Sequence, residues 1–241
     1  MIEFGRSLQW KNNYMDEVAF SIANGFDFMQ IWHFKGELEI DNVIEPKEYF
    51  LRDVGYPLII HALLDISKFD ERTPEILRIV KFLGHKELII HPICHSEPIT
   101  DDTIRKLADK VASALEIFNA EGITLFLENN SKLDPIHYKT EEIAYMFSMN
   151  PTLELLLDVA HTDNYEHLRD IVSIKMPKIL HIADRHFDVI HEHLPIGDGE
   201  VDFKHIFTEF LPGFDGKVIL EIFGQDQTII HSKELIQAAM K

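Results

Sequence analysis

A single cysteine, Cys94, stands in the 241 residues. One thiol cannot close an intramolecular disulfide, and the same arithmetic excludes a thiolate zinc cage. Any metal bound here must be held by nitrogen and oxygen. Positive charge is scarce as well: 23 Lys and Arg face 41 Asp and Glu, a formal net charge of −18. Such a balance repels polyanions unless a local patch overrides it, which makes nucleic acid a disfavoured partner. The basic residues Arg6, Lys11, Lys35, Lys132 and Arg185 are too scattered to form a track. No apolar run approaches a membrane span, so no membrane partner is expected. The opening MIEFGRSLQW carries an acid and an arginine where a secretory signal needs an unbroken apolar stretch, and the expectation is a cytoplasmic protein. Glycine-rich phosphate loops are missing too, which removes support for a nucleotide-binding sheet.

What is present is ordinary globular composition, 46% hydrophobic and 27% charged, arranged with a clear period. Eight short apolar runs are strand-length: IEFG at 2–5, FDFMQIW at 26–32, PLIIHAL at 57–63, ELIIHPI at 87–93, TLFLEN at 124–129, LELLLDVA at 153–160, KILHIAD at 178–184 and KVILEIF at 217–223. Between them lie segments with helical spacing. DDTIRKLADKVASALEIFNAEG at 101–122 opens with acids and closes with glycine, as a helix should. Strands that are apolar on both faces imply a parallel sheet covered by helices. With no linker or composition break, the chain reads as one domain over 1–241, an α/β (β/α)8 TIM barrel. An open doubly wound sheet stays as the alternative, because periodicity alone does not show closure.

The third to eighth runs each carry a polar residue near the C-terminal end: His61, His91, Glu128, Asp158, His181 and Glu221. In a barrel those ends converge on one mouth. Three acids buried together need cations to compensate them, and mixed imidazole and carboxylate donors suit zinc, manganese, iron or cobalt. Taken singly, each has a plainer reading as a hydrogen-bonded strand end or a helix cap. His161 follows Asp158 in DVAH, and HEHLPIGDGEVDF at 191–203 sets His191 and His193 two apart, able to point the same way if the segment is extended. His33, His85, His95, His137, His167, His186, His205 and His231 are assigned to the surface or to helices. Trp32 and Phe34 are candidates to line the mouth and stack on a sugar ring, or else core aromatics. Asn129 and Asn130 are candidates to bind hydroxyls, and Arg185 to clamp a phosphate or carboxylate, with a surface ion pair as its alternative.

The stretches IIHALL, IIHP, LENN, LLDVAH, LHIAD, HLPIGDGEVDF and LEIF, in that order and across essentially the whole chain, resemble the xylose-isomerase-like TIM barrels. That superfamily includes endonuclease IV and many sugar isomerases and epimerases. The resemblance to the isomerases implies one metal held by Glu128, Asp158, His181 and Glu221, with Glu128 and Glu221 also moving protons at a small sugar or sugar phosphate. The resemblance to endonuclease IV implies three zincs cutting abasic DNA, with His61, His91, Glu128, Asp158, His161, His181, His193 and Glu221 as ligands. Where that enzyme has an aspartate, this chain has His191. The cofactor expected is therefore zinc or manganese, one to three ions. The first reading is the isomerase or epimerase; the alternatives are the multi-zinc phosphodiesterase and a barrel that binds metal or a small ligand without turnover.

Overall fold

The computed structural model describes residues 2–9, 12–33 and 46–241. Phe34, Lys11 and Lys35 lie outside the described residues. Eight parallel strands, β1 (Glu3–Ser7), β2 (Phe28–His33), β3 (Leu58–Asp65), β4 (Glu87–Ile93), β5 (Thr124–Glu128), β6 (Glu154–Asp158), β7 (Ile179–Ile182) and β8 (Lys217–Leu220), follow one another in space as in sequence. β1 pairs with β8 through Phe4 opposite Val218 and Gly5 opposite Ile219, which closes the sheet and removes the open-sheet alternative.

Outside the strands run α1 (Tyr14–Ala23), α2 (Pro46–Val54), α3 (Phe69–Leu83), α4 (Asp101–Ala120), α5 (Thr140–Met149), α6 (Tyr165–Ile174), α7 (Phe203–His205, continued by a π-helical turn Ile206–Phe210) and α8 (Asp226–Ala239). Local sequence explains the best defined of them. α4 starts at Thr100, whose hydroxyl and that of Thr103 cap each other's backbone N–H groups, with Asp101 and Asp102 in the positive first turn. Its buried residues Ile104, Leu107, Ala108, Val111, Leu115 and Phe118 recur at three and four, so one stripe faces the sheet.

The interior of the barrel is built in steps of two, because alternate strand residues share a face. Phe28, Ile59, Ile89, Phe126, Leu156, Ile179 and Ile219 form an apolar plug separate from the larger core between sheet and helices. The eighth place, on β1, belongs to Gly5: a Cβ there would overlap the Phe28 ring, so the glycine makes room for the phenyl group. Two residues beyond the plug, the eight strands carry Ser7, Gln30, His61, His91, Glu128, Asp158, His181 and Glu221, every one of them buried. The polar layer therefore follows from strand periodicity, one inward side chain per strand above an apolar floor.

Some sequence expectations shift. β1 runs to Ser7, past the expected 2–5, because its end is polar yet inside. Arg6 is 1% exposed, paired with Glu17 and bonded through Nε to Ser21 Oγ at 3.0 Å. His33 and His137, assigned to surface or helix, are instead buried, and His137 takes a left-handed backbone with φ 57°.

Gly5→Ala should overpack the plug and lower unfolding stability by about 1–3 kcal/mol. Phe28→Leu in the same chain should recover part of that loss, both read by denaturant unfolding. Unchanged stability in Gly5→Ala would mean that the plug has slack at this point.

Candidate metal centre

The polar layer resolves into overlapping ligand groups. Glu128, Asp158, His181 and Glu221 form one; His61, His91 and Glu128 a second; His61, His181 and Glu221 a third combination; and His161, His191 and His193 a fourth. Within each, one ligand atom per residue lies within 4.8 Å of all the others. The structure thus brings together all nine residues the sequence singles out as ligands. Glu128 sits at the junction: its Oε2 is 2.7 Å from His61 Nε2 and 2.9 Å from His91 Nδ1, and its Oε1 is 2.9 Å from His181 Nδ1. His181 Nδ1 is also 2.8 Å from Glu221 Oε2.

Electrostatics in this layer are those of a site short of positive charge. Burial alone would push the Glu128 carboxyl up, but His91, His181 and His61 hold it well below the usual carboxylate range. Asp158 is likewise lowered against its burial, by His161 and His193. Burial opposes a charged His181, yet Glu221 and Glu128 raise it well above an ordinary imidazole; His91 is raised against burial mainly by Glu128. His61 and His161 go the other way, driven down by burial, His161 to about 4.

The residues fit a cation by a second criterion. His61 Nδ1, Asp158 Oδ2, His161 Nε2 and His193 Nε2 are buried polar atoms with no hydrogen-bond partner among the described residues. Orphaned polar atoms inside a protein are costly, and each of these four belongs to one of the ligand groups, where a cation would satisfy it. His191 and His193 do not meet through an extended segment, as the sequence suggested. His191 takes φ 55°, and this left-handed turn carries its ring over His161, centroids 4.4 Å apart. The loop is pinned by Asp184, which accepts from Arg185 N, Gly197 N and Val201 N. Gly199 is required there: a Cβ would collide with Asp184 Oδ1 and the Arg185 backbone.

A cavity of about 550 Å³ opens above the ligands, lined by Trp32, Leu63, Asp134 and Phe223 as well as His61, His91, Glu128, His161, His191, His193 and Glu221. Trp32 lies where the sequence reading puts it, its ring 4.4 Å from that of His61. Two expectations are corrected. Asn129 is fully buried with its amide held by the Asp158 backbone, accepting from its N–H at 2.7 Å and donating to its carbonyl at 3.2 Å, so it braces β6 and is closed off from the mouth. Arg185 is 5% exposed and donates to the carbonyls of Ala160, Thr162, His186 and Phe187; it laces two loops together behind the site instead of clamping an anion. Asn130 donates to Pro92 and Ile136 carbonyls in the same structural manner.

Sequence reasoning missed Gln30, Ser7 and Ser131. Gln30 Oε1 accepts from His181 Nε2 at 2.7 Å, while its Nε2 donates to Ser7 Oγ at 2.8 Å and Glu221 Oε1 at 3.2 Å. Ser131 Oγ lies 3.1 Å from His191 Nδ1. The signal for Ser7 and Gln30 was their place two residues beyond the apolar plug, the same step that marks the six ligand-bearing strands.

No curated protein sequence matches the chain. Among solved structures it superposes on D-allulose 3-epimerase from Methylomonas sp. with a TM-score of 0.77 at 15% identity, over 99% of this chain and 98% of the other. For endonuclease IV from Thermus thermophilus the TM-score is 0.70 at 17% identity, over 99% and 98%. For the 3-keto-D-glucoside 4-epimerase YcjR from E. coli it is 0.72 at 19% identity, over 99% and 100%. At these identities the likeness is one of fold. Residues 18–241 match the family described as xylose isomerase-like TIM barrel, and the chain therefore belongs to that family.

Proposed function

We propose that this protein is a divalent-metal-dependent phosphoester hydrolase in which Glu128 would contribute to two neighbouring cation sites. The observation that carries the reading is the division of Glu128 between two ligand groups: Oε2 faces His61 and His91, and Oε1 faces His181 in the group with Asp158 and Glu221. A carboxylate used on both oxygens is poorly placed to take a proton from a carbon, and well placed to hold two ions at a fixed separation. Paired divalent ions, when bound, activate water and neutralise charge on the transferred phosphoryl group.

The side chains of this chain supply the rest. Asp158 and Glu221 complete the set around His181, and Gln30 holds His181 with Nδ1 toward the carboxylates. Trp32, Leu63 and Phe223 form an apolar wall that limits water beside the reacting group. Among the described residues no Lys or Arg lines the cavity, and its volume suits a small ligand. Together with the net charge of −18, this favours a small phosphoester over duplex DNA.

A second reading, the metal-dependent sugar epimerase or isomerase, is favoured by one feature. Glu128, Asp158, His181 and Glu221 make a complete four-ligand set with a glutamate on β5 and another following β8. In that case Glu128 and Glu221 exchange protons with a sugar carbon, and zinc or manganese serves as a single ion.

Metal analysis by mass spectrometry is expected to find two or three equivalents per chain. The loaded protein should hydrolyse a small phosphodiester such as bis(p-nitrophenyl) phosphate, with incision of an abasic duplex as the comparison. Glu128→Gln should cut hydrolysis by about 100-fold or more. One equivalent and no hydrolysis would overturn the reading. For the epimerase, loaded protein in deuterated water should label the substrate carbon and Glu221→Gln should stop it; absence of exchange with a panel of ketoses and aldoses would count against that alternative.

A further inference from the structure

We infer that His161, His191 and His193 form an imidazole-rich site selective for zinc-like ions, with a metal preference different from that of the acidic group beside it. The inference rests on the metal-centre reading above but not on the reaction assigned to it.

Each imidazole has one nitrogen engaged by the protein, and in His161 and His193 the other is buried and unpartnered. His161 Nδ1 donates to the Asn129 carbonyl at 2.9 Å, and His193 Nδ1 donates to the Glu221 carbonyl at 3.0 Å. Carbonyl oxygens only accept, so both rings carry their proton on Nδ1 and present a lone pair at Nε2. Those two Nε2 atoms are buried and have no partner among the described residues. His161 as a whole is 2% exposed. At His191, Nδ1 meets Ser131 Oγ, a hydroxyl that already accepts from Leu133 N and keeps a second lone pair for an imidazole N–H. With Nδ1 so engaged, Nε2 is the nitrogen left for the group. Ring orientation and tautomer are thus set by neighbours before any ion arrives, the arrangement that strengthens histidine ligation. The left-handed backbone of His191, φ 55°, is a local strain kept only because the surrounding loop dictates it.

Chemistry then separates this group from its neighbour. The set of Glu128, Asp158, His181 and Glu221 offers three carboxylates and one imidazole; the triad offers three imidazoles and no charge. Asp158 Oδ2 lies 3.5 Å from His161 Nε2 and 3.9 Å from His193 Nε2, but it belongs to the acidic set, so at most this one shared oxygen reaches the triad; its Oδ1 is held by Ala160 N and His161 N. Hard ions such as manganese and magnesium need oxygen donors, whereas zinc, cobalt and nickel bind imidazole well. His191 makes the difference, because an imidazole at this third position leaves the triad without an oxygen donor of its own.

The test counts ions without substrate. Apo protein is loaded with excess manganese, desalted and measured by mass spectrometry, then given cobalt or zinc. Cobalt is expected to add one equivalent that a roughly 100-fold excess of manganese does not displace, with visible absorption bands of a low-coordinate cobalt–imidazole site. His191→Asp should let manganese take that equivalent and reduce the cobalt-over-manganese preference by about 10-fold or more. Ser131→Ala, which keeps every ligand, should weaken cobalt there by about 10-fold. In the apo protein, long-range nitrogen–proton spectra should show His161 and His193 protonated at Nδ1. Manganese filling the wild-type triad as readily as cobalt, or an unchanged preference in both His191→Asp and Ser131→Ala, would overturn the inference. The hydrolase reading fails separately: a selective triad in a protein that cleaves no phosphoester leaves this inference standing.

Discussion

Three carboxylates, Glu128, Asp158 and Glu221, are buried to within 2% of complete exclusion from water at one end of a closed barrel. Charged groups taken out of water are stable only when opposite charge or hydrogen-bond donors meet them. Here the compensation comes from imidazoles, and two of these, His91 and His181, are pushed toward the protonated form by the carboxylates they face. Protons on these rings occupy the electrostatic role that a divalent ion fills in a loaded site. The apolar plug beneath keeps the acids from water on the inner side, so its packing and the polarity of the layer above are parts of one constraint.

Labour is divided unequally around the barrel. Six strands bring residues with ligand atoms, while β1 and β2 bring Ser7 and Gln30, which bear none of the charge. Gln30 acts through its polarity: its amide nitrogen donates to Ser7 and Glu221, so its oxygen is the atom left for His181 Nε2–H. That fixes which nitrogen of His181 faces the carboxylates. An apolar residue of the same length would leave the ring free to present either nitrogen.

The fold was legible because a parallel barrel writes its strands as continuous apolar runs, and each of the eight expected runs overlaps an observed strand. The candidate ligands were legible because titratable residues recur at strand ends. Ser7 and Gln30 escaped for the opposite reason: a hydroxyl and an amide at a strand end carry no obvious signal until the plug beneath fixes the register. Asn129 and Arg185 were read as substrate groups because polar residues near a mouth invite that reading. Their actual partners, the Asp158 backbone and the carbonyls of Ala160 and Thr162, lie 23 to 29 residues away in sequence and become neighbours only when adjacent strands pair. The same holds for the turn at His191, whose backbone conformation depends on a loop anchored at Asp184.

The sign of the charge at the mouth follows from how many ions the ligands hold. Three carboxylates and six neutral imidazoles sum to −3; one divalent ion brings the site to −1, two to +1 and three to +3. A wall with no Lys or Arg among its described residues adds nothing to that sum. With a single ion and neutral imidazoles, an anionic substrate would approach a negative site inside a protein of net charge −18, which favours a neutral ligand. With two ions held by the groups that share Glu128 the sign would reverse, and the ions would attract an anionic ligand to the mouth. The lack of basic side chains around the cavity, which at first argues against phosphate chemistry, is then compatible with the proposed reading: ions held by the ligand set beneath would bring the positive charge an arginine clamp would otherwise bring.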